Sequence, residues 1–129
     1  MALDGLDHVT LSTNDLDRSV AFYRDLLGLV QGERPPFGFP GAWLYCDGRP
    51  VIHLIGGRGH AGTGSGPVDH VAFRASGLVE TIARLRRLGA AYDERLVPGQ
   101  GLRQVFLRDP DGVKVELNFA ASEPLPDGA

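Results

Sequence analysis

Apolar and polar positions along the chain follow a strand, helix, strand pattern that occurs twice. In the first half, a short β-rich segment at 8–12 precedes apolar residues that recur at helical spacing over 16–27. In the second half, a similar segment at 70–74 precedes the same spacing over 78–85. Each helical segment has one apolar stripe, so we expect each helix to pack one face against a sheet.

Three further strands are predicted after each helix. They cover 29–33, 42–46 and 51–55 in the first half and 91–97, 102–108 and 113–119 in the second. The last two strands of each half are joined at Asp47-Gly48 and at Asp111-Gly112, which are tight-turn dipeptides between apolar runs. The pattern therefore predicts one βαβββ unit in each half.

The expected ends of both helices carry suitable capping residues. Asn14 and Ser76 are predicted N-caps, because a short polar side chain there can accept a backbone hydrogen bond. Gly28 and Gly89 stand where a left-handed residue commonly ends a helix.

The two halves are copies of one unit. Residues 6–27 align with residues 68–89 at a constant offset of 62. Between the halves, six of the 12 residues at 56–67 are glycine, a composition typical of a flexible linker. We therefore expect one α+β domain over 1–129, built of modules 6–55 and 68–119 that form a curved mixed sheet around a cleft.

The histidines fall at related points of this repeat. His8 aligns with His70 on the first strand of each half, and His53 aligns with Glu116 on the last strand. If a pseudo-twofold axis relates the modules, these four side chains point toward that axis. His60 lies in the Gly-rich linker and is expected to be a solvated loop residue.

Such a set of donors suits a divalent transition metal. Imidazole and carboxylate ligands favour Zn, Ni, Co, Mn or Fe(II), and no thiolate shares the predicted face. The sequence thus predicts a metal site formed by His8, His53, His70 and Glu116.

Composition and charge exclude several classes of protein. The formal net charge is −3, and the 13 basic residues are scattered rather than gathered in a stripe, which argues against a nucleic-acid partner. No apolar run approaches the roughly 20 residues that span a bilayer. The N-terminus lacks the pattern of a signal peptide, and Cys46 has no second cysteine to pair with. We expect a cytoplasmic protein with a small-molecule substrate.

Four motifs give the chain a resemblance to the vicinal oxygen chelate superfamily, which includes glyoxalase I, bleomycin resistance proteins and extradiol dioxygenases. The motifs are Asp7-His8-Val9, Leu27-Gly28-Leu29, Asp69-His70-Val71 and Asp109-Pro110-Asp111-Gly112, the last followed by Glu116. The resemblance implies paired βαβββ modules around one divalent metal. It implies His8, His70 and Glu116 as ligands and places His53 at the fourth ligand position.

Members of this family catalyse different reactions, so the resemblance leaves several functions open. The favoured prediction is a glyoxalase- or epimerase-like lyase or isomerase that acts on a substrate with vicinal oxygens through a metal-stabilised enediolate. Glu116 would then move the proton. The alternative is an Fe(II) extradiol ring-cleaving dioxygenase, in which His8, His70 and Glu116 form a facial triad and His53 is an acid/base beside the iron.

A third possibility is a non-catalytic protein that binds a drug or metabolite, as bleomycin resistance proteins do. The complete set of ligating residues argues against it. Ser12 occupies a position where small glyoxalases of the family usually carry an arginine that holds glutathione, which argues against a glutathione-derived substrate.

Aromatic residues predict the wall of the substrate pocket. They are Phe37, Phe39, Trp43 and Tyr45, and Lys114 is a candidate cation lining the cleft. The sequence leaves open whether the modules of one chain pair together or pair with those of a second chain. The resemblance and the linker favour a homodimer with its sites between subunits.

Overall fold

The computed structural model describes residues 1, 4–57, 68–97 and 101–125. The chain divides into two units, Met1–Gly62 and Thr63–Ala129, here called unit 1 and unit 2. The predicted loop position of His60 lies outside the described residues. No helix within the described ranges is long and apolar enough to span a membrane.

Unit 1 is a four-stranded mixed sheet with one helical segment. Its elements are β1 (Val9–Ser12), α1 (Leu16–Ala21), a π-helical turn (Phe22–Leu26), β2 (Val30–Gly32), β3 (Gly41–Cys46) and β4 (Arg49–Ile55). The strand order is β1-β4-β3-β2, with β1 parallel to β4 and the other pairs antiparallel.

Unit 2 has the same topology. Its elements are β5 (His70–Arg74), α2 (Leu78–Arg87), β6 (Asp93–Val97), β7 (Leu102–Arg108) and β8 (Lys114–Ala120). The order is β5-β8-β7-β6, and β5 is parallel to β8. The predicted α+β fold of two βαβββ units is confirmed.

Strand register agrees with the repeat. Thr10 pairs with His53 in unit 1, and Ala72 pairs with Glu116 in unit 2. Side chains alternate across a strand, so the two pairings place His53 and Glu116 at equivalent points of their sheets. His8 and His70 stand two residues before these partners, on the same face.

The opposite face of each sheet carries the core. In unit 2 the apolar stripe of α2 is buried at Leu78, Ile82 and Leu85, none more than 1 % exposed. The strand residues that flank the metal-ligand candidates are buried as well. They are Ile52 and Leu54 in β4 and Val115 and Leu117 in β8. Each sheet thus has one face fixed by packing and one face left for polar chemistry.

The N-cap of α1 differs from the prediction. Asp15, rather than Asn14, is the N-cap, with an extended backbone and a side chain that accepts a hydrogen bond from the Arg18 N–H at 3.1 Å. Asp15 directly precedes the first helical residue, and its negative charge also interacts favourably with the helix dipole.

The predicted N-cap Ser76 of α2 is wrong too. The helix begins after Gly77, whose backbone is left-handed (φ +83°) and whose residue type offers no capping side chain. Glu123 takes the role from the far end of the unit, because its Oε1 accepts hydrogen bonds from the N–H groups of Gly77 and Leu78 at 2.9 and 2.8 Å.

The glycines that end the two helices agree with the prediction, while the body of the first helix does not. Gly28 and Gly89 are left-handed, with φ of +80° and +68°. The first helix changes after Ala21 into a π-helical turn, in which the Leu27 N–H donates to the Phe22 carbonyl. The even 3.6-residue spacing of apolar residues gives no sign of this wider turn.

One of the two predicted tight turns is present. Asp47 and Gly48 both have positive φ, as a two-residue hairpin of this type requires. Asp111-Gly112 instead belongs to a longer loop over 109–113. There the Asp109 carboxylate accepts hydrogen bonds from the N–H groups of Asp111 and Val113 at 2.9 and 2.8 Å, which stabilises the wider connection.

Candidate metal and substrate site

Unit 2 brings two predicted ligands together. The Nε2 atom of His70 lies 3.4 Å from Oε1 of Glu116. His70 Nδ1–H donates to Asp69 Oδ2 at 2.7 Å, and the Asn118 side-chain amide donates to Glu116 Oε2 at 2.8 Å. Gln104 in turn donates to Asn118 at 3.2 Å. Each of these side chains is therefore oriented by a hydrogen bond.

This arrangement fits a divalent metal. Two donors bound to one ion at roughly 2.0 to 2.2 Å lie roughly 3 to 3.5 Å apart, which matches the separation of His70 Nε2 and Glu116 Oε1. The carboxylate of Asp69 holds the His70 ring by its other nitrogen, the usual arrangement behind a metal-bound histidine. Glu116 is a buried carboxylate, and its burial is costly without a cationic partner.

Unit 1 repeats half of this pattern. His8 Nδ1–H donates to Asp7 Oδ2 at 2.6 Å, as His70 does to Asp69. Nε2 of His8 is left available for a ligand. Because both aspartates precede their histidines in the chain, the Asp-His pair is part of the repeat itself.

The environment of His53 differs from that of Glu116. Its ring is stacked between those of His8 and Trp43, with ring centroids 3.7 and 4.0 Å away. His53 Nε2–H donates to the Pro50 carbonyl at 3.0 Å, so Nδ1 carries the free lone pair.

Burial of the ring, followed by the positive field of His8, lowers the pKa of His53 below its ordinary value. Histidine in its neutral form can be a metal ligand or a general base. The hydrogen bonds from the histidines also lower the pKa values of Asp7 and Asp69, so both aspartates are acceptors at neutral pH.

The four predicted ligands fall two in each unit, His8 and His53 in unit 1 and His70 and Glu116 in unit 2. Within residues 1, 4–57, 68–97 and 101–125, no three His, Cys, Asp or Glu side chains form a group that could hold a metal ion. The four-ligand site therefore stays a prediction, and each unit supplies a pair.

Three of the predicted pocket residues meet around one cavity of unit 1. Phe37, Phe39 and Trp43 line a cavity of about 420 Å³ together with His8 and His53. Phe37 and Phe39 are stacked with centroids 5.3 Å apart, and Phe37 lies 6.4 Å from Trp43. The result is an aromatic wall that continues into the histidine pair.

Tyr45 and Lys114 are placed elsewhere. A register shift between Leu44 and Tyr45 follows Trp43 in β3, and the Tyr45 hydroxyl donates to the Glu33 carbonyl at 2.6 Å. Tyr45 lines a different cavity of unit 1. Lys114 lies in unit 2 with its ammonium 4.9 Å from the centre of the Phe106 ring.

Sequence reasoning missed Arg34, Thr10 and Asp7, which line the same cavity as the aromatic wall. For Asp7 the signal was present, because it precedes His8 as Asp69 precedes His70. Arg34 gave no signal, because its place beside the two phenylalanines depends on the path of a loop.

Comparison with known protein families gives a match over most of the chain. The model of the Glyoxalase/Bleomycin resistance protein/Dioxygenase superfamily matches residues 5–117. The chain belongs to this superfamily. It is 34% identical over 122 residues to a lactoylglutathione lyase of Haemophilus influenzae, covering 85% of this chain and 88% of that protein.

A second superfamily relative is Glyoxylase I 4 of Arabidopsis thaliana. It is 31% identical over 131 residues, which cover 95% of this chain and 75% of that protein. Among solved structures, a mutant of the fosfomycin resistance protein FosX of Listeria monocytogenes, complexed with Mn(II) and 1S,2S-dihydroxypropylphosphonic acid, matches with a TM-score of 0.73. It is 21% identical and covers 92% of this chain and 94% of that one, so it shows a shared fold.

Proposed function

We propose that this protein is a metal-dependent lyase or isomerase of the glyoxalase type that acts on a small substrate with vicinal oxygens. The observation that carries the proposal is the His70–Glu116 pair, whose 3.4 Å separation fits one divalent ion. The lactoylglutathione lyases among its relatives support the reaction class. The Mn(II) complex of FosX supports the metal.

His8 and His53 complete the proposed ligand set. A bound Zn, Ni, Co, Mn or Fe(II) ion would act as a Lewis acid toward the two oxygens of the substrate. Glu116 would take a proton from the carbon beside the carbonyl and return it to the former carbonyl carbon, while the hydroxyl proton passes to the other substrate oxygen. Asn118 holds Glu116 Oε2 and so orients the carboxylate for this transfer. If His53 instead lies beside the metal without binding it, its Nδ1 is a second group able to move a proton.

One experiment tests metal and reaction together. Protein purified without chelators should carry about one divalent ion per chain. With Zn, Ni, Co or Mn restored, it should exchange the α-proton of α-hydroxy carbonyl compounds for deuterium in D₂O. Glu116→Gln should lose both properties, and Glu80→Gln, a change at an exposed position of α2, should keep both.

The contrary results are equally defined. A metal-free protein that takes up no divalent ion, and shows no exchange, would contradict the proposal and favour a non-catalytic binding protein. Metal uptake without exchange would contradict the isomerase reaction only.

The position of His53 favours a second candidate, an Fe(II) extradiol dioxygenase. Its ring is stacked between those of His8 and Trp43, which suits a group beside the metal rather than a ligand. His8, His70 and Glu116 would then form a two-histidine, one-carboxylate triad. Oxygen consumption with catechols under Fe(II) tests this candidate.

Subunit mixing tests the proposed homodimer with sites between subunits. His8→Ala and Glu116→Ala chains are each expected to be inactive. If unit 1 of one chain pairs with unit 2 of another, half of the sites in each mixed dimer are intact, and about a quarter of wild-type activity returns on mixing. If the units of one chain pair together, mixing restores nothing.

A further inference from the structure

The cavity of unit 1 that His8 and His53 line also contains an aromatic surface and a cationic side chain. One side is the aromatic wall, formed by Phe37, Phe39 and Trp43. The other feature is a guanidinium group, that of Arg34, in the same cavity. A volume of about 420 Å³ lies in the range of small-molecule sites.

The guanidinium of Arg34 is fixed by its neighbours, but these contacts use few of its N–H donors. Its Cζ lies 5.0 Å from the ring centres of both Phe37 and Phe39, and one terminal nitrogen donates to the Phe39 carbonyl at 2.9 Å. These contacts fix the plane of the guanidinium. They use one of its five N–H donors.

The described residues give Arg34 no ion-pair partner. No carboxylate there forms an ion pair with Arg34, and the aspartate that shares the cavity, Asp7, is engaged by His8. A guanidinium fixed in its plane, with donors to spare, binds a carboxylate through two parallel hydrogen bonds.

The backbone makes room for this group. At Gly41 in β3, a Cβ atom would lie 2.7 Å from a terminal nitrogen of Arg34 and 2.9 Å from its Cζ. Any other residue at position 41 would push the guanidinium from its place.

The wall favours a flat partner. Phe37 is 46 % exposed, so part of its ring is open to a ligand. Aromatic rings stack with an offset on such faces, and planar ligands lose little conformational freedom on binding. Pro35, Pro36 and Pro40 restrict the loop that carries the two phenylalanines, so the wall exists before the ligand arrives.

We infer that this cavity binds a small planar aromatic carboxylate, with the ring against Phe37 and Trp43 and the carboxylate on Arg34. As a statement about the substrate, the inference rests on the proposed function, since His8 and His53 border the same cavity. As a statement about binding, it requires unit 1 alone and no metal.

The test uses the full chain after removal of divalent ions with EDTA. Trp43 is the only tryptophan of the protein, so its fluorescence reports directly from the wall. Four ligands are titrated: benzoate, its uncharged isostere benzamide, the non-planar cyclohexanecarboxylate, and glutathione as an anion without a ring. We expect benzoate to bind about 10- to 100-fold more tightly than benzamide, and more tightly than the other two.

Two variants separate the charge from the wall. Arg34→Gln should remove the preference of benzoate over benzamide. Phe37→Ala, at an exposed position, should weaken both ligands but keep a preference for benzoate, because Arg34 retains its contacts with Phe39. The matched control is Arg95→Gln, because Arg95 also lies over a phenylalanine, Phe106 at 5.4 Å, but in unit 2. Arg95→Gln should bind all ligands as the wild type does.

Several outcomes would overturn the inference. They are an absence of benzoate binding, equal affinity for benzoate and benzamide in the wild type, and a benzoate preference that survives Arg34→Gln. If Arg34→Gln fails to fold, as circular dichroism would show, the ligand series on the wild type and Phe37→Ala still decide. Benzoate binding without metal uptake would contradict the proposed function alone, and metal-dependent exchange without benzoate binding would contradict this inference alone.

Discussion

Unit 1 and unit 2 start from one plan and end with different chemistry. Both place an Asp-bound histidine at the first strand, and both place their second candidate ligand at the equivalent point of the last strand. In unit 2 that residue is Glu116, an anion held by an amide. In unit 1 it is His53, which is stacked on aromatic rings and held by a backbone carbonyl.

The surroundings of the two ligand pairs differ as well: they are polar around Glu116 and apolar around His53. Asn118 and Gln104 continue a polar network from Glu116 across the sheet of unit 2. Trp43, Phe37 and Phe39 continue an apolar wall from His53 in unit 1. The two units thus keep equivalent candidate positions in different surroundings. Under the proposed function, unit 2 would supply charge for a metal and unit 1 a surface for the substrate.

The sharpest way to break this comparison is to remove the two last-strand residues in turn. Glu116→Gln should weaken Mn²⁺ or Co²⁺ binding more than about 100-fold, because it removes the one anionic ligand. His53→Gln should weaken binding less, on the order of tenfold, since it removes a neutral ligand rather than an anionic one. Calorimetric titration measures both.

The absorption spectrum of bound Co²⁺ adds a readout that does not depend on the folding stability of the variant. It should change in His53→Gln if His53 is a ligand and stay as in the wild type if it is not. Equal losses of affinity in the two variants would contradict the division between the units.

Substitution of Asp7 and Asp69 tests the feature that both units share, the hydrogen bond from a histidine to the preceding aspartate. Asp69→Asn and Asp7→Asn each remove the charged acceptor of a histidine Nδ1–H, and each should lower metal affinity about 10- to 100-fold. Asp69→Glu and Asp7→Glu should recover part of the loss if orientation of the ring is the cause. The exposed Asp17 in α1 provides the control as Asp17→Asn, which should bind metal normally. An unchanged affinity in both Asn variants would show that the pair has no role in binding.

The smallest effects concern the helix ends, where the units use different caps. Glu123→Gln weakens two charge-assisted hydrogen bonds at the start of α2 and should cost about 1 to 2 kcal/mol of unfolding free energy. Asp15→Ala removes one bond at the start of α1 and should cost about 1 kcal/mol. Urea denaturation monitored by circular dichroism measures both, and a larger loss for Asp15→Ala would reverse the expected order.

The sequence predicted the features that depend on local pattern. The repeat, the βαβββ succession of elements in each half, the left-handed Gly28 and the turn at Asp47-Gly48 all follow from spacing and residue type. The hydrogen bonds between each histidine and the preceding aspartate could also have been predicted, since Asp7 and Asp69 recur at the same offset. These features require no knowledge of distant contacts.

The features that were not predicted depend on residues far apart or on competing local bonds. Glu123 caps a helix that begins 45 residues earlier, and no local motif at Ser76 signals this. Asp109 widens a connection that its Asp-Gly dipeptide alone predicts as tight. Arg34 reaches the aromatic wall only because the loop folds back and because position 41 has no side chain.

Gly41 has a practical consequence for engineering this protein. A Cβ there would meet the Leu54 carbonyl oxygen at 2.5 Å as well as the guanidinium, so one substitution would disturb both the pairing of β3 with β4 and the anion-binding group. Libraries that aim to change the ligand preference should randomise positions 37 and 39 and leave codon 41 fixed. Within such a library, selectivity can vary while the scaffold is inherited intact.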